Sequence, residues 1–159
     1  MDRLQHEVAD ESATCELAAA LAARLPLRAT VALDGTLGAG KTRFVQAVAE
    51  ASGIDPKTVT SPTFMLIHEY QGDRAIHHFD AYRIKDDDEF LELGPDEYFE
   101  RDGWNLIEWA ERVADCLPRE RLEIRITLTG PQGRSFEFVA MGKQYETLLN
   151  DLARWSAEQ

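Results

Sequence analysis

An α/β fold with a single central mixed sheet flanked by helices is what this sequence predicts, on three observations. A glycine-rich stretch, GTLGAGKT at 35–42, stands between an apolar run that reads as a buried strand and a segment with helical spacing. Strands and helices alternate through the first half. Later segments pair across turn residues as hairpins, which adds antiparallel neighbours to a parallel sheet. At 159 residues the chain is expected to form one domain, 1–159.

The elements follow in order. Leu17, Leu21 and Leu25 recur at four-residue spacing among alanines, an amphipathic helix from about Asp10, with Asp10 or Ser12 as N-cap and Pro26 at its end. Ala29–Leu33 is a short apolar run bounded by breakers, hence a buried strand. After the glycine loop, Lys41–Ser52 is helical, with Phe44, Val45, Val48 and Ala49 on one face and Gly53 at the stop. Phe64–Tyr70 and Arg74–Asp80 flank Gln71-Gly72-Asp73 as a hairpin. Asp86–Leu93 is a short acidic helix ended by Gly94-Pro95, its acids a solvated helix start. Trp104–Glu108 is a strand after the Asp102-Gly103 turn, and Trp109 to about Asp115 is helical. Leu122–Thr129 and Ser135–Ala140 form a second hairpin around residues 130–134. Tyr145–Ser156 is a closing helix.

Composition excludes several classes. The chain carries 29 acidic against 17 basic residues, a net charge of −12. Affinity for a phosphate backbone comes from lysines and arginines releasing counterions, so direct tRNA or other nucleic-acid binding is not expected. No apolar run is long enough to span a bilayer. The N-terminus has early acids and no apolar core, unlike a secretory signal. Cys15 and Cys116 form no metal or redox motif and read as reduced thiols. A cytoplasmic protein is expected.

The chemistry centres on the glycine loop. Gly35, Gly40, Lys41 and Thr42 satisfy G-x-x-x-x-G-K-[ST], the phosphate-binding loop of the P-loop NTPase fold. Glycines let the backbone curl so that successive N–H groups point at phosphate oxygens, and the following helix adds its positive dipole end. Lys41 reaches the β- and γ-phosphates, and the Thr42 hydroxyl is a Mg2+ ligand. Such a site needs an acid at a nearby strand end. Asp80 closes AIHHFD and Glu108 closes WNLIE, and either could position the attacking water. No N-K-x-D or D-x-x-G string occurs, which favours ATP over GTP. His77 and His78 alternate across a strand and cannot simply share one ion, so no zinc site is expected.

Together LDGTLGAGKT, SPTF, HEY, HFDAYR, ELGPDEYF, LIEWAER and CLP, in this order over residues 10–140, resemble the TsaE (YjeE) family, bacterial P-loop ATPases of tRNA threonylcarbamoyladenosine biosynthesis. The resemblance implies that Gly38, Ala39, Gly40, Lys41 and Thr42 hold phosphates, that Gly35 opens the loop, and that Leu37 is among the nucleotide-contacting residues. It places Thr42 and Glu108 on the Mg2+ side and Ser61, Pro62 and Thr63 in a switch-like loop, with Thr63 among the catalytic candidates. Asp80 matches an acid important for hydrolysis, and Trp109 would sit near the nucleotide. Glu11 and Arg134 would fall on the nucleoside side. The implied cofactors are ATP and Mg2+. The implied partners are TsaD and TsaB, the pair that transfers the threonylcarbamoyl group to the adenosine next to the anticodon. Thr36 departs from the family's common Asp, which puts any role of that acid in question, and Ala81 replaces a larger apolar residue. Two other readings of the residues stand beside this one: a small-molecule kinase, although Arg119, Arg121, Arg125 and Arg134 do not form a lid, and a nucleotide-gated binding module.

Overall fold

The computed structural model describes residues 1–62 and 66–159. Seven strands form one sheet: β1 (Arg3–Val8), β2 (Arg28–Asp34), β3 (Ile67–Gln71), β4 (Ala75–Asp80), β5 (Gly103–Glu108), β6 (Arg121–Leu128) and β7 (Arg134–Met141). Their order is β1-β7-β6-β2-β5-β4-β3. The four inner strands β6, β2, β5 and β4 run parallel; β3 and β7 run against them at the two sides, and β1 pairs antiparallel with β7 at the edge. This is the mixed sheet expected from early alternation followed by hairpins. The helices are α1 (Glu11–Ala22), α2 (Lys41–Ala51), α3 (Asp87–Leu91), α4 (Pro95–Phe99) and α5 (Lys143–Ala157).

Side-chain alternation along the central strands divides the core into two layers. Ala29, Val31 and Leu33 of β2, with Trp104 and Leu106 of β5, pack beneath α1, α2 and α5. Ala32 and Ile107 face the other way, onto Phe79, Phe90 and Phe99 under α3 and α4. The expected apolar face of α2 is buried, with the Phe44 ring tilted by 45° against that of Phe136 of β7 at 5.1 Å. Each such fully buried aromatic or aliphatic side chain stabilises the fold by about 1.5–3 kcal/mol.

Local choices explain the element ends. Of the two N-cap candidates for α1 it is Asp10 that serves, its carboxylate accepting Ala13 N–H at 2.9 Å. Asp86 does the same for α3 through Glu89 N–H, so its acids do start a helix. Gly94-Pro95 both ends α3 and starts α4, because Pro at a first helical position lacks only an N–H that would be unpaired there. The expected helix from Trp109 is a pair of 3-10 turns over Ala110–Cys116 with a kink at Val113. Strand β1 has no counterpart among the sequence expectations. It is an edge strand whose outward positions carry Arg3, Gln5 and Glu7, so it lacks a continuous apolar run.

Two consequences position the site. Asp80 lies directly opposite Glu108 at the carboxyl ends of parallel neighbours. The glycine loop leaves the carboxyl end of β2, where open α/β sheets bind ligands. Among the described residues no helix is long and apolar enough to cross a membrane.

Candidate functional site

The loop curls through three glycines with positive φ: Gly35 at 148°, Gly38 at 81° and Gly40 at 108°. A side chain at Gly35 would meet the Ile126 carbonyl oxygen at 2.5 Å, so the loop is pressed against β6. The turn closes through Ala39 N–H to the Thr36 carbonyl at 3.0 Å. Gly40 caps α2, and its carbonyl accepts Phe44 N–H at 2.9 Å. The remaining first-turn N–H groups of α2 thus open towards the loop's concavity, the arrangement that binds anions.

Lys41 is buried at 4% exposure. Its ammonium donates to the Gly35 carbonyl at 2.6 Å and the Thr36 carbonyl at 2.9 Å, and lies 3.9 Å from the centre of the Trp109 ring. Burial lowers its pKa from the ordinary lysine value, against the opposing pull of Glu108, Asp34 and Asp80. Trp109 is held over it in the left-handed region at φ 60°, the sole non-glycine with positive φ among the described residues. The Asp34 carboxylate accepts Glu111 N–H at 2.9 Å and so fastens the turn that carries Trp109. Tyr82 packs on the same indole at 4.9 Å.

The Thr42 hydroxyl donates to the Glu108 carboxylate, 2.8 and 2.9 Å from its two oxygens, and lies 2.7 Å from Ser61 Oγ. Thr42 has one proton, which the carboxylate takes, so Ser61 is the donor to Thr42. Glu108 is 3% exposed and receives a second hydrogen bond from His78 Nε2 at 2.5 Å. Asp80 stands at the rim, accepting Tyr82 N–H at 2.9 Å. Burial raises the Asp80 pKa, the Tyr82 N–H opposes that, and the Glu108 charge adds to it.

These groups enclose a cleft of about 320 Å³ lined by Leu37, Gly38, Gly40, Lys41, Thr42, Ser61, Pro62, Asp80, Glu108 and Trp109, with Tyr82 and Arg83 at its mouth. A second groove of about 230 Å³ lies on the other side of Gly38–Gly40 and is lined by Glu11, Thr14, Arg43, Gln132, Arg134 and Phe136. Arg134 crosses from the β6–β7 turn and donates from Nε to the Ala39 carbonyl at 2.8 Å. The fold therefore gathers Leu37, Gly38, Lys41, Thr42, Asp80, Glu108 and Trp109 in one cleft, with Gly35 behind it. It sets Glu11, Ala39 and Arg134 in the adjoining groove. Thr63 lies outside the described residues.

An oxygen-only pair, the Thr42 hydroxyl and Glu108 carboxylate, fits a hard divalent cation that keeps most of its waters. Among the described residues no group of three or more His, Cys, Asp or Glu is gathered that could hold a metal by itself. His77 and His78 do face opposite ways, His77 pairing with Asn105 at 2.9 Å and His78 with Glu108. Sequence reasoning did not assign the second contact. The signal was present: His78 precedes Asp80 by two in a strand and so shares its face. Tyr82 and Arg83, the tail of HFDAYR, also reach the cleft without having been singled out.

Comparison with known proteins agrees with this geometry. The family model described as "Threonylcarbamoyl adenosine biosynthesis protein TsaE" matches residues 8–136. The chain is 46% identical over 123 residues to the tRNA threonylcarbamoyladenosine biosynthesis protein TsaE of Bacillus subtilis, covering 77% of this chain and 76% of that protein. The same-named protein of Aquifex aeolicus is 40% identical over 67% of this chain and 76% of its own length. The crystal structure of Bacillus subtilis YdiB superposes with a TM-score of 0.80 at 37% identity, covering 96% of this chain and 95% of that one.

Proposed function

This chain belongs to the TsaE family of threonylcarbamoyl adenosine biosynthesis proteins, and from that premise we propose that it is a Mg2+-dependent ATPase supporting turnover of the TsaD–TsaB transferase. Its relatives' names place the role in tRNA threonylcarbamoyladenosine biosynthesis. The observation that carries the nucleotide reading is the convergence of Lys41, Thr42, Asp80 and Glu108 on one cleft at the carboxyl edge of a parallel sheet.

The roles follow from position. Loop N–H groups and the start of α2 bind the phosphates, and Lys41 turns from its own loop carbonyls to the β- and γ-oxygens. Thr42 and Glu108 would hold Mg2+, which would supply charge neutralisation to the phosphates. The groove at Glu11 and Arg134 takes the nucleoside side. Glu108 is already engaged by Thr42 and His78, whereas Asp80 stands at the rim with a pKa raised by burial. Asp80 is therefore the better placed of the two acids to orient water and accept its proton. Pro62 and Trp109 also line the cleft, and Leu37 stands exposed at its edge. A chain at −12 would approach the enzymes of this pathway rather than the tRNA, in the cytoplasm.

The test is phosphate release from Mg-ATP by the chain alone and with its host's purified TsaD–TsaB pair. Slow release alone and clear stimulation by the pair is the expected result, with loss of nucleotide binding in Lys41→Ala. Asp80→Ala is expected to keep binding and lose release. Phosphate moving to a small acceptor would make the protein a kinase. Full pair activity in an Asp80→Ala variant that no longer hydrolyses ATP would make it a nucleotide-gated module.

A further inference from the structure

His78 is completely buried, yet both its ring nitrogens meet polar groups. Its Nε2 donates to Glu108 at 2.5 Å, and its Nδ1 lies 3.2 Å from the Tyr70 hydroxyl. The Tyr70 hydroxyl stands between that nitrogen and the Thr60 carbonyl, 3.3 Å away, and its one proton serves one of the two at a time. Thr60 is joined by one peptide bond to Ser61, whose hydroxyl meets Thr42, which meets Glu108. The contacts thus close into a ring running from Glu108 through His78, Tyr70, the Thr60–Ser61 main chain and Thr42, back to Glu108.

We propose that His78 is a positioning residue. It fixes the Glu108 carboxylate so that its free lone pairs and those of Thr42 converge on one divalent cation, and through Tyr70 it ties that orientation to the main chain at Thr60–Ser61. The inference rests on the Mg-nucleotide reading above. A buried carboxylate held by a single hydroxyl, which has one proton to give, would be left short of a donor for its second oxygen. Partners of metal-binding residues commonly set metal affinity by 10- to 100-fold. Tyr70 and His78 come from paired strands β3 and β4, a rigid support of the kind such a constellation needs.

The experiment is calorimetric ADP binding to the full chain over a Mg2+ titration and in EDTA, with amide exchange at Thr60 and Ser61 in the nucleotide-free protein. His78→Leu is expected to raise the Mg2+ concentration for half-maximal enhancement of ADP binding at least ten-fold, with ADP binding in EDTA unchanged. His78→Gln, which can still present an N–H to Glu108, is expected to restore most of it. Tyr70→Phe is expected to leave the Mg2+ requirement near normal and to speed amide exchange at Thr60 and Ser61. An unchanged Mg2+ requirement in a folded His78→Leu protein overturns the proposal. So does equal loss in Leu and Gln variants, which marks a packing role. If His78→Leu does not fold, normal exchange at Thr60 and Ser61 in Tyr70→Phe overturns the link to the loop, and a Gln variant unlike the unsubstituted protein overturns the positioning of Glu108. Absence of any Mg2+ effect on ADP binding to the unsubstituted protein instead overturns the nucleotide reading itself.

Discussion

Two glycines in the same loop are expected to respond very differently to alanine. Both Gly35 and Gly38 have positive φ, 148° and 81°. A methyl at Gly38 would meet nothing within 4 Å, whereas at Gly35 it would lie 2.5 Å from the main-chain oxygen of Ile126 and 3.2 Å from Ala39 Cβ. Gly38→Ala therefore incurs only the left-handed backbone cost of about 1–2 kcal/mol. The loss of unfolded-chain freedom offsets about 0.4–1 kcal/mol of that, leaving a net cost of about 1 kcal/mol. Gly35→Ala incurs a backbone cost of about 1–3 kcal/mol and a forced displacement of β6 main chain of about 1–3 kcal/mol. Its net cost after the same offset is about 3 kcal/mol. For a domain of this size each kcal/mol lowers Tm by about 2–4 °C. Thermal unfolding of both variants without nucleotide, followed by circular dichroism, should show Gly35→Ala about 6–12 °C below the parent and Gly38→Ala about 2–4 °C below. Equal shifts, or a larger one for Gly38→Ala, would refute the close approach of the loop to β6.

Other expectations follow from single contacts. Thr30 N–H lies beyond the end of the β2–β6 pairing and is satisfied by the buried Tyr145 hydroxyl at 3.0 Å. Tyr145→Phe should cost about 1–3 kcal/mol in urea unfolding, and a change under 0.5 kcal/mol would show that water replaces the hydroxyl. Burial is what chiefly raises the Asp34 pKa, while the Glu111 N–H opposes it. A carboxyl raised on folding makes its stabilising contribution below its unfolded pKa and loses it as pH rises through the folded value. Asp34→Asn should accordingly be more stable than the parent at pH 8, with the gap closing towards pH 4; a gap that widens in acid would contradict the burial. Arg134→Ala frees the Ala39 carbonyl, which should cost about 1.5 kcal/mol in loop stability, and empties one wall of the groove at Glu11, which should weaken nucleotide binding. Unchanged affinity by calorimetry would remove Arg134 from the binding machinery.

Much of the fold was legible because it depends on local signals. GTLGAGKT between a strand and a helix announces its own geometry, and the turn residues at 71–73 and 130–134 place both hairpins. Strand β1 was not legible because its ladder with β7 is a long-range partnership and its alternation is filled by Leu4, His6 and Val8 rather than a run of aliphatics. The 3-10 character after Trp109 was hidden for a similar reason. It depends on the Asp34 carboxylate, 77 residues away in sequence, capping Glu111 N–H. In the site, Lys41, Thr42, Asp80 and Glu108 could be named from motif and strand ends. Their mutual arrangement required the registers of β2, β4 and β5. His78 and Tyr70 speak only through a closed circuit of contacts that no linear pattern displays.

The Lys41 ammonium is never idle: two carbonyls of its own loop and the Trp109 ring already hold it. Occupancy of the cleft is thus an exchange reaction, in which an anion gains only what exceeds the bonds it displaces. A solitary orthophosphate, replacing two short contacts with one or two of its own, gains little. A polyphosphate chain, which engages the loop amides at several points at once, can repay the displacement. On the nucleotide reading proposed above, the self-occupied lysine would act as a threshold on anion length, setting a solitary phosphate at a disadvantage against a nucleotide's polyphosphate chain.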